Sequence, residues 1–552
     1  MSGHSPIPGL FFSLLTPSAT RFGPRLGNVL LKRDEQTEIQ IQTPSYLAST
    51  SRGVIPHLSR DHYASSGIRW VNIPFESFLD VLPPVPTLVD GKNSLHTFLG
   101  YSLGQHVVSM AVRDPADGRE MPPNGNAHVA AYSLRGVRKV TPTEWKSYVY
   151  SCKPDIVFAL ADIPLTHPPY SQKRLTKSIE RSASWLASLI SPLPNNKYRP
   201  SVLVHMAGTT SVPARRAFAE SLIEKLFGPE AETIKPLQTL DQGVTGYTFD
   251  LIPIRLSLEA AEKRHQDPFY PPAESIPPTP PPTIDSAPTP LSEVNLDPTI
   301  PAHTDQLSPL LQASLEPLST TKLRLVNSVQ TPHEILRLIS SVGIDIFDAH
   351  WAQRAGDVGV ALDFTFPAPS SHSPALKARE NNKLDIGHNL YCSSYTHDFS
   401  AFGSASCGCR ACSPVAPATR IYHGVDDPSF SGESSTIPSQ APAEPRVKPS
   451  FSRAYAHHLL HTHEMSAHSL LVLHNLSVLD QFFGGIRTLL QDRPEKWDQE
   501  VKRFEEIYDE ELKVFEEARV MWRDVDLARG KGRLVREKAK QEEGTLGTAV
   551  EL

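Results

Sequence analysis

The central part of the chain alternates short apolar runs with longer amphipathic segments. Residues 154–161 and 201–207 are apolar runs of the kind found in strands that are buried on both faces of a parallel sheet. After each run the apolar side chains recur at helical spacing, over residues 173–190 and 213–227. Further strands are predicted at 248–254, 323–326 and 344–348, and a further helix at 332–342. Repeated strand–helix units predict a parallel α/β fold, either a barrel or a doubly wound sheet.

Other parts of the chain follow different patterns. Residues 25–110 alternate as short strands and turns. Twelve of the 34 residues from Pro268 to Pro301 are proline, which excludes a helix or a central strand there. Residues 413–450 are rich in Pro, Ser and Ala and are predicted to form a surface loop. The first Pro-rich segment is compatible with binding an SH3-type domain, but a passive spacer is the favoured interpretation.

The C-terminal region is strongly charged. From Trp497 its apolar residues recur in steps of three and four, at Val501, Phe504, Tyr508, Leu512 and Phe515. This spacing predicts one amphipathic helix with a charged opposite face. Packing of that helix on its own domain is favoured over binding to a partner.

Composition narrows the function classes. The net charge of −6 over 552 residues argues against a protein that grips nucleic acid alone. There are only five cysteines, too few and too clustered for a disulfide framework, so a reducing compartment is expected. No run approaches the roughly 20 apolar residues of a membrane span. The chain is therefore predicted to be a soluble, intracellular protein.

The densest chemical signal is Cys407-Gly-Cys409-Arg-Ala-Cys412. Three thiolates this close can face one ion, and zinc prefers four sulfur and nitrogen ligands in a tetrahedron. The fourth ligand is open at this point, because residues 457–474 contain six histidines: His457, His458, His461, His463, His468 and His474. Three buried thiols without a metal are the less favoured alternative. Three cysteines and a histidine would form a closed structural site rather than a catalytic one.

The residues around this motif resemble a known family. The cysteines are followed by Ser452-Arg-Ala-Tyr-Ala-His-His458, by Glu464-Met465 and by Leu473-His-Asn-Leu476. This order is similar to the zinc subdomain of the tRNA-guanine transglycosylases, in which the histidine of the His-Asn pair is the fourth ligand. The resemblance thus implies one structural Zn²⁺ held by Cys407, Cys409, Cys412 and His474. It also implies a (β/α)8 TIM-type barrel with an inserted zinc-binding subdomain and Pro-rich insertions.

The resemblance also gives expected domain boundaries. The N-terminal strands and the first part of the barrel are expected at 1–254, a disordered Pro-rich insertion at 255–320, and the last part of the barrel at 321–400. The zinc-binding subdomain with a dimer-interface helix is expected at 401–490, and the charged C-terminal helix and tail at 491–552.

Family catalysis needs groups that this chain largely replaces. In the family an aspartate attacks the ribose and a second aspartate moves protons. Asp348 matches the nucleophile, but the second aspartate maps to Ala161, and neighbouring Asp162 should point to the other face of its strand. The base-reading glutamine turn corresponds to 207–209, and the glycine-rich base cradle to 249–252, where the side chains are large. Asp348 is therefore interpreted as a relic rather than a catalytic residue.

Three functions remain as hypotheses. Arg25-Leu-Gly, Thr43-Pro-Ser-Tyr-Leu and Gly53-Val-Ile-Pro-His-Leu resemble the family's non-catalytic branch. This implies a heterodimer with a catalytic paralogue, which replaces guanine by queuine at the wobble position of tRNAs for Asp, Asn, His and Tyr. Residues 451–490 would form the dimer interface, in the cytoplasm or peripherally on the mitochondrial outer membrane. The alternatives are an active transglycosylase that uses Asp348 as nucleophile and Asp162 as proton carrier, and, less favoured, a free-standing zinc-dependent RNA-binding protein.

Overall fold

The computed structural model describes most of the chain, in two compact units. The described residues are 9–15, 20–33, 37–64, 66–166, 168–193, 198–266, 303–369, 376–403, 407–413 and 450–527. The first unit comprises Met1–Arg354, Thr365–Ser370 and Leu479–Glu510, and the second comprises Ala355–Phe364, Ser371–Val478 and Glu511–Leu552. The Pro-rich stretch 268–301 lies outside the described residues, as does the predicted loop 413–450 except for its two end residues.

Eight parallel strands close into a barrel in the first unit. They are β4 (Ser45–Ser49), β5 (Trp70–Pro74), β6 (Val107–Ala111), β9 (Ile156–Phe158), β10 (Ser201–His205), β11 (Gly246–Asp250), β12 (Leu323–Asn327) and β13 (Ile346–Asp348). Each pairs with the next in this order, and β13 pairs with β4 to complete the ring. The central residues of these strands are buried, as expected where helices cover the outside and side chains fill the inside. The predicted (β/α)8 barrel is confirmed.

A three-stranded antiparallel sheet covers the end of the barrel where its strands begin. It contains β1 (Gly9–Leu14), β2 (Gly27–Lys32) and β3 (Glu38–Thr43). Alternate residues of β3 are buried, as in a strand that packs one face on the core. Leu10, Val29 and Ile41 from this sheet join one apolar cluster with residues of the barrel strands, including Leu203 and Leu323. The opposite end, where the strands finish, is thus the end left for a site.

The helices begin and end where local chemistry favours it. The α-helices are Arg60–Ala64, Ser94–Leu99, Pro142–Cys152, Gln172–Ile190, Val212–Ile223, Gly228–Ile234, Leu251–Gln266, Thr304–Leu315, Pro332–Val342, His350–Asp357, Arg453–His461, Met465–Asp492 and Trp497–Ile507, and residues 513–527 are also helical. The helix Pro332–Val342 matches its prediction: the Thr331 side chain accepts from the Glu334 amide, and Gly343 ends the helix at φ 73°. None of the described helices has the length and apolarity needed to cross a membrane.

Two predictions around the Pro-rich insertion are wrong at their edges. The strand predicted at 248–254 ends at Asp250, and Leu251–Gln266 is a helix. A short apolar run such as Leu251–Ile254 has the same composition in either structure, so periodicity could not separate them. The insertion predicted at 255–320 is also too wide, since it takes in the end of this helix and all of Thr304–Leu315.

The single C-terminal helix predicted from Trp497 is also wrong. The first helix ends at Ile507, residues 508–512 are not helical, and a second helix runs from 513 to at least 527. Leu512 has φ 55°, a left-handed conformation that stops a helix. Tyr508 and Phe515, on either side of the break, are both buried. Both positions therefore require apolar side chains, and the helical spacing in the sequence continues although the helix does not.

The second unit combines a small hairpin with helices. Strands β14 (Val360–Leu362) and β15 (Gly387–Asn389) pair antiparallel. The long helix Met465–Asp492 belongs to this unit as far as Val478. Cys407 and Cys409 lie in its apolar cluster, beside Phe402, Leu459 and other buried side chains. The expected boundaries 401–490 overlap this unit, which additionally includes the described residues of 355–364, 376–400 and 511–527.

Candidate metal centre and barrel mouth

Three thiols and one imidazole converge in the second unit. Cys407, Cys409 and Cys412 lie on one short loop, and His474 lies on the helix Met465–Asp492. The four candidate ligand atoms all lie within 4.8 Å of one another. Among the described residues no other group of three or more His, Cys, Asp or Glu side chains meets this geometry.

The distances fit a tetrahedral zinc ion. Bonds of about 2.3 Å to sulfur and about 2.0–2.1 Å to nitrogen would place nitrogen and sulfur about 3.6 Å apart in a tetrahedron. The Nδ1 atom of His474 lies 3.6, 3.7 and 3.3 Å from the Sγ atoms of Cys407, Cys409 and Cys412. The donor set and its spacing therefore suit zinc.

The surrounding contacts orient these ligands. The Nε2 atom of His474 lies 2.8 Å from the carbonyl oxygen of Leu362, and the ring is fully buried. Donation from Nε2 to that oxygen leaves the Nδ1 lone pair facing the thiols, as in many zinc sites. Asn475 fixes the same helix to the hairpin, because its side chain accepts from the Leu362 amide and donates to the Val360 carbonyl.

Without a cation, the three thiols and the imidazole cannot all take the protonation states that metal binding requires. Hydrogen bonds with Cys409 and Cys412 lower the pKa of the Cys407 thiol, whereas hydrogen bonds with Cys407 and Cys412 raise the pKa of Cys409. Burial opposes the charged form of His474, but hydrogen bonds and charge from Cys407 and Cys412 raise its pKa to about 10. A divalent cation would let all three thiols ionise together.

The other histidines of this stretch lie elsewhere. His457 and His461 face the carbonyl oxygens of Leu390 and Tyr391, at 2.8 and 3.2 Å. His468 has its Nδ1 atom 3.0 Å from the Gly356 carbonyl oxygen. The structure thus brings His474, and none of the other five histidines, to the thiols.

The barrel mouth, where the strands end, encloses little space. Its cavity has a volume of about 50 Å³ and is lined by Asp114, Ala161, His205, Asp250 and Asn327, among others. Small-molecule sites usually offer roughly 300–1,000 Å³. A volume of about 50 Å³ holds a few water molecules and is far below that of a usual ligand site.

Asp348 ends β13 and is buried. Its Oδ1 atom accepts a hydrogen bond of 3.2 Å from the Val329 amide, while Oδ2 has no hydrogen-bond partner among the described residues. Burial, and to a smaller extent the charge of Asp114, raises the pKa of Asp348 to about 7. A carboxyl in this environment is half neutral near physiological pH, which weakens it as a nucleophile.

Ala161 and Asp162 point in different directions. Ala161 lines the cavity, whereas Asp162 is fully buried in a hydrogen-bond network that sequence reasoning missed. Arg174 binds both carboxylate oxygens at 2.7 Å, Arg181 donates at 2.9 Å, and the Asn124 side chain donates at 2.9 Å. The only sequence signal was the placement of two arginines seven residues apart on one helix face.

The residues that align with the family's base-recognition segments, 207–209 and 249–252, are mostly engaged in packing and backbone hydrogen bonds. Gly208 packs so closely on Arg215 that a Cβ would lie 2.6 Å from its amide nitrogen, and Arg215 donates back to the Thr209 carbonyl oxygen. Phe249 and Leu251 are buried, while Asp250 lines the cavity. Gln353, in the stretch after Asp348, bonds both backbone groups of Ser49.

Comparison with known proteins gives a consistent result. The model of the family described as queuine tRNA-ribosyltransferase matches residues 22–231 and 438–509, about half of the chain. A relative from Schizosaccharomyces pombe is 25% identical over 498 residues, which cover 90% of this chain and 83% of the relative. One from Ixodes scapularis is 26% identical over 468 residues, 84% of this chain and 94% of the relative. Both are named queuine tRNA-ribosyltransferase accessory subunit 2. The chain therefore belongs to the queuine tRNA-ribosyltransferase family.

Proposed function

We propose that this chain is the non-catalytic subunit of a heterodimeric queuine tRNA-ribosyltransferase. The observation that carries the proposal is the narrow barrel mouth, whose cavity of about 50 Å³ is several-fold smaller than a usual small-molecule site. Relatives named as accessory subunits align with 84–90% of the chain, which supports the same role. The catalytic partner would be a member of the same family with an open mouth.

The groups at the mouth support this assignment chemically. Base exchange needs a nucleophile at the ribose and a proton carrier beside the base. The carrier position is Ala161, and the neighbouring carboxylate of Asp162 is fully engaged by arginine and asparagine. Loss of one acid–base group alone typically slows a reaction about 10²–10⁴-fold. Several losses together leave Asp348 as a relic of the family mechanism.

One Zn²⁺ per chain is part of the proposal. Cys407, Cys409, Cys412 and His474 would hold it, and the ion would cross-link the loop to the helix Met465–Asp492. Four protein ligands leave no position for water or substrate, so this zinc would contribute folding free energy and no chemistry.

The complex would act on tRNA. It would exchange guanine for queuine at the wobble position of the tRNAs for Asp, Asn, His and Tyr, with this chain supporting dimer formation and tRNA positioning. Residues 451–490, which include the helix Arg453–His461 and most of the helix Met465–Asp492, are the proposed interface. The cytoplasm is the proposed compartment, and any mitochondrial attachment would be peripheral.

A reconstitution experiment tests the role. Incorporation of labelled guanine or queuine into tRNA would be measured for this chain alone, for a catalytic family member alone, and for the mixture. We expect no incorporation by this chain alone and higher activity in the mixture than in the partner alone. Incorporation, or a covalent tRNA adduct, on this chain alone would instead establish the alternative in which Asp348 is the nucleophile.

A further inference from the structure

The charge of the first unit is unevenly distributed. The whole chain carries a net charge of −6, yet one surface next to the barrel mouth is basic. Five cations lie on one face of β8 (Gly136–Val140), which pairs with β7 (Val129–Ser133), and on the helix Gln172–Ile190. They are Lys139, Lys173, Arg174, Lys177 and Arg181, and they are called the basic strip below. Arg138, the strand neighbour of Lys139, points to the opposite face of the hairpin.

The helix contributes a row of cations on one face. Lys173, Lys177 and Arg181 are spaced four residues apart, so each lies about one turn, or about 6 Å, beyond the last. Lys173 and Lys177 are exposed, while the helix buries Leu175, Leu186 and other residues on its opposite side. Glu180 is the only acidic residue of this helix.

The β-hairpin extends the row beyond the helix. Arg181 donates to the Asn126 side chain at 3.1 Å and to the Asn124 carbonyl oxygen at 3.1 Å, which ties the loop before β7 to the helix. Lys139 pairs with Ala130, two residues after His128. Burial and then the charges of Lys139 and Arg181 lower the pKa of His128, so both cations lie near that ring.

Little negative charge balances the strip. Arg174 and Arg181 share the single carboxylate of Asp162. Lys139, Lys173 and Lys177 form no ion pair with any described residue. On these elements five cations therefore face two carboxylates, Asp162 and Glu180, while Asp114, Asp117 and Asp250 line the neighbouring barrel mouth.

The strip borders the place where the family handles its substrate. Val129 starts the hairpin and Ala161 precedes Asp162, and both line the cavity at the mouth of the barrel. Loops after the barrel strands form the working face of this fold. The one aromatic residue of the helix, Trp185, is buried, so the helix offers charge rather than a stacking platform for bases.

We propose that the basic strip binds the phosphodiester backbone of the tRNA that the complex modifies. Exposed ammonium groups neutralise phosphates without reading sequence, which suits a subunit that must accept several tRNAs. The proposal rests on the proposed function, because it assumes that tRNA reaches this chain in the complex.

A charge-reversal variant tests the strip. Lys139→Glu, Lys173→Glu and Lys177→Glu would be combined and assayed in complex with the catalytic partner. We expect KM for tRNA to rise at least tenfold while kcat is unchanged. The slope of log affinity against log salt should fall by about 2, since each phosphate contact contributes roughly 0.7–0.9. The matched control reverses three exposed lysines on other elements of the same unit, Lys92, Lys225 and Lys496, and should leave both quantities unchanged.

The outcomes separate this proposal from the proposed function. The proposal that the strip binds tRNA is overturned if KM and the salt slope are unchanged in a folded triple variant, or if the control variant changes them equally. If the wild-type mixture exchanges no base, the proposed function fails, and fluorescence anisotropy of labelled tRNA with this chain alone then decides whether the strip binds RNA. If the variant keeps its tRNA affinity and loses binding to anionic-lipid vesicles, the RNA assignment is wrong. Replacement of the same lysines by glutamine serves if the glutamates prevent folding.

Discussion

Replacement of His474 by alanine tests the metal centre most sharply. The imidazole is fully buried, with Nδ1 between 3.3 and 3.7 Å from three sulfur atoms and Nε2 2.8 Å from the Leu362 carbonyl oxygen. The substitution therefore removes one zinc ligand and one hydrogen bond of a buried carbonyl. It also opens space where Phe402 packs edge-on against the ring.

The expected magnitude follows from these contacts. Loss of a supporting residue around a zinc site costs about 10–100-fold in affinity, so loss of a ligand should cost at least about 100-fold, or roughly 2.8 kcal/mol. A buried carbonyl that loses its partner adds about 1–3 kcal/mol. We expect the free energy of unfolding to fall by roughly 4 kcal/mol or more in the presence of zinc.

Zinc content and unfolding are measured together. Elemental analysis after dialysis against a weak chelator should give one zinc per wild-type chain and much less in the variant. EDTA should lower the melting temperature of the wild-type protein and change that of the variant little. The control is His458→Ala, because His458 is exposed on the neighbouring helix. If His474→Ala keeps one zinc and the wild-type response to EDTA, the assignment of the fourth ligand is refuted.

Three further predictions concern the barrel unit. Burial lowers the pKa of His106 to about 4, so between pH 6.5 and 4 this histidine is protonated in the unfolded chain but neutral in the folded chain. Stability should fall by roughly 2–3 kcal/mol between pH 6.5 and 4 on this account, and His106→Gln should flatten that slope in urea titrations. Asp162→Asn should cost roughly 2–4 kcal/mol, because it leaves Arg174 and Arg181 without their carboxylate; a melting curve equal to wild type would contradict this. The pKa of Asp348 is raised to about 7, so ionisation of this carboxyl destabilises the folded chain as pH rises. The stability gained by Asp348→Asn should therefore be about 2–3 kcal/mol larger at pH 8 than at pH 5. An equal gain at both pH values would contradict the buried environment.

The sequence predicts this fold well where burial is one-sided or complete. The helix Gln172–Ile190 has one apolar stripe, and the strand Ser201–His205 is buried along most of its length, so periodicity identifies both. Prediction from periodicity fails where the same sequence pattern is compatible with two different structures. The run Leu251–Ile254 is apolar in a helix as it would be in a strand, and the spacing from Trp497 to Phe515 continues through a break at Leu512.

The candidate metal centre could likewise be predicted in part from the sequence. Three cysteines within six residues predict a metal from local chemistry alone. The fourth ligand depends on which helix turn faces the loop, a tertiary relation that spacing does not encode. The resemblance to the family selected His474, and the structure places that ring at the thiols. The engagement of Asp162 by Arg174 and Arg181 is also tertiary, which is why the sequence could not distinguish a proton carrier from a structural carboxylate.

The measurement that tests the central claim most directly is base exchange by the reconstituted complex with Asp348→Asn in this chain. Inactivity of the isolated chain would not by itself exclude catalysis, because a subunit can require its partner. If this chain is non-catalytic, the complex that carries Asp348→Asn should incorporate labelled queuine at the wild-type kcat. The catalytic partner with its own nucleophile replaced should be inactive beside wild-type Asp348. A fall of kcat by two orders of magnitude or more with Asp348→Asn, in a folded and assembled complex, would contradict the account.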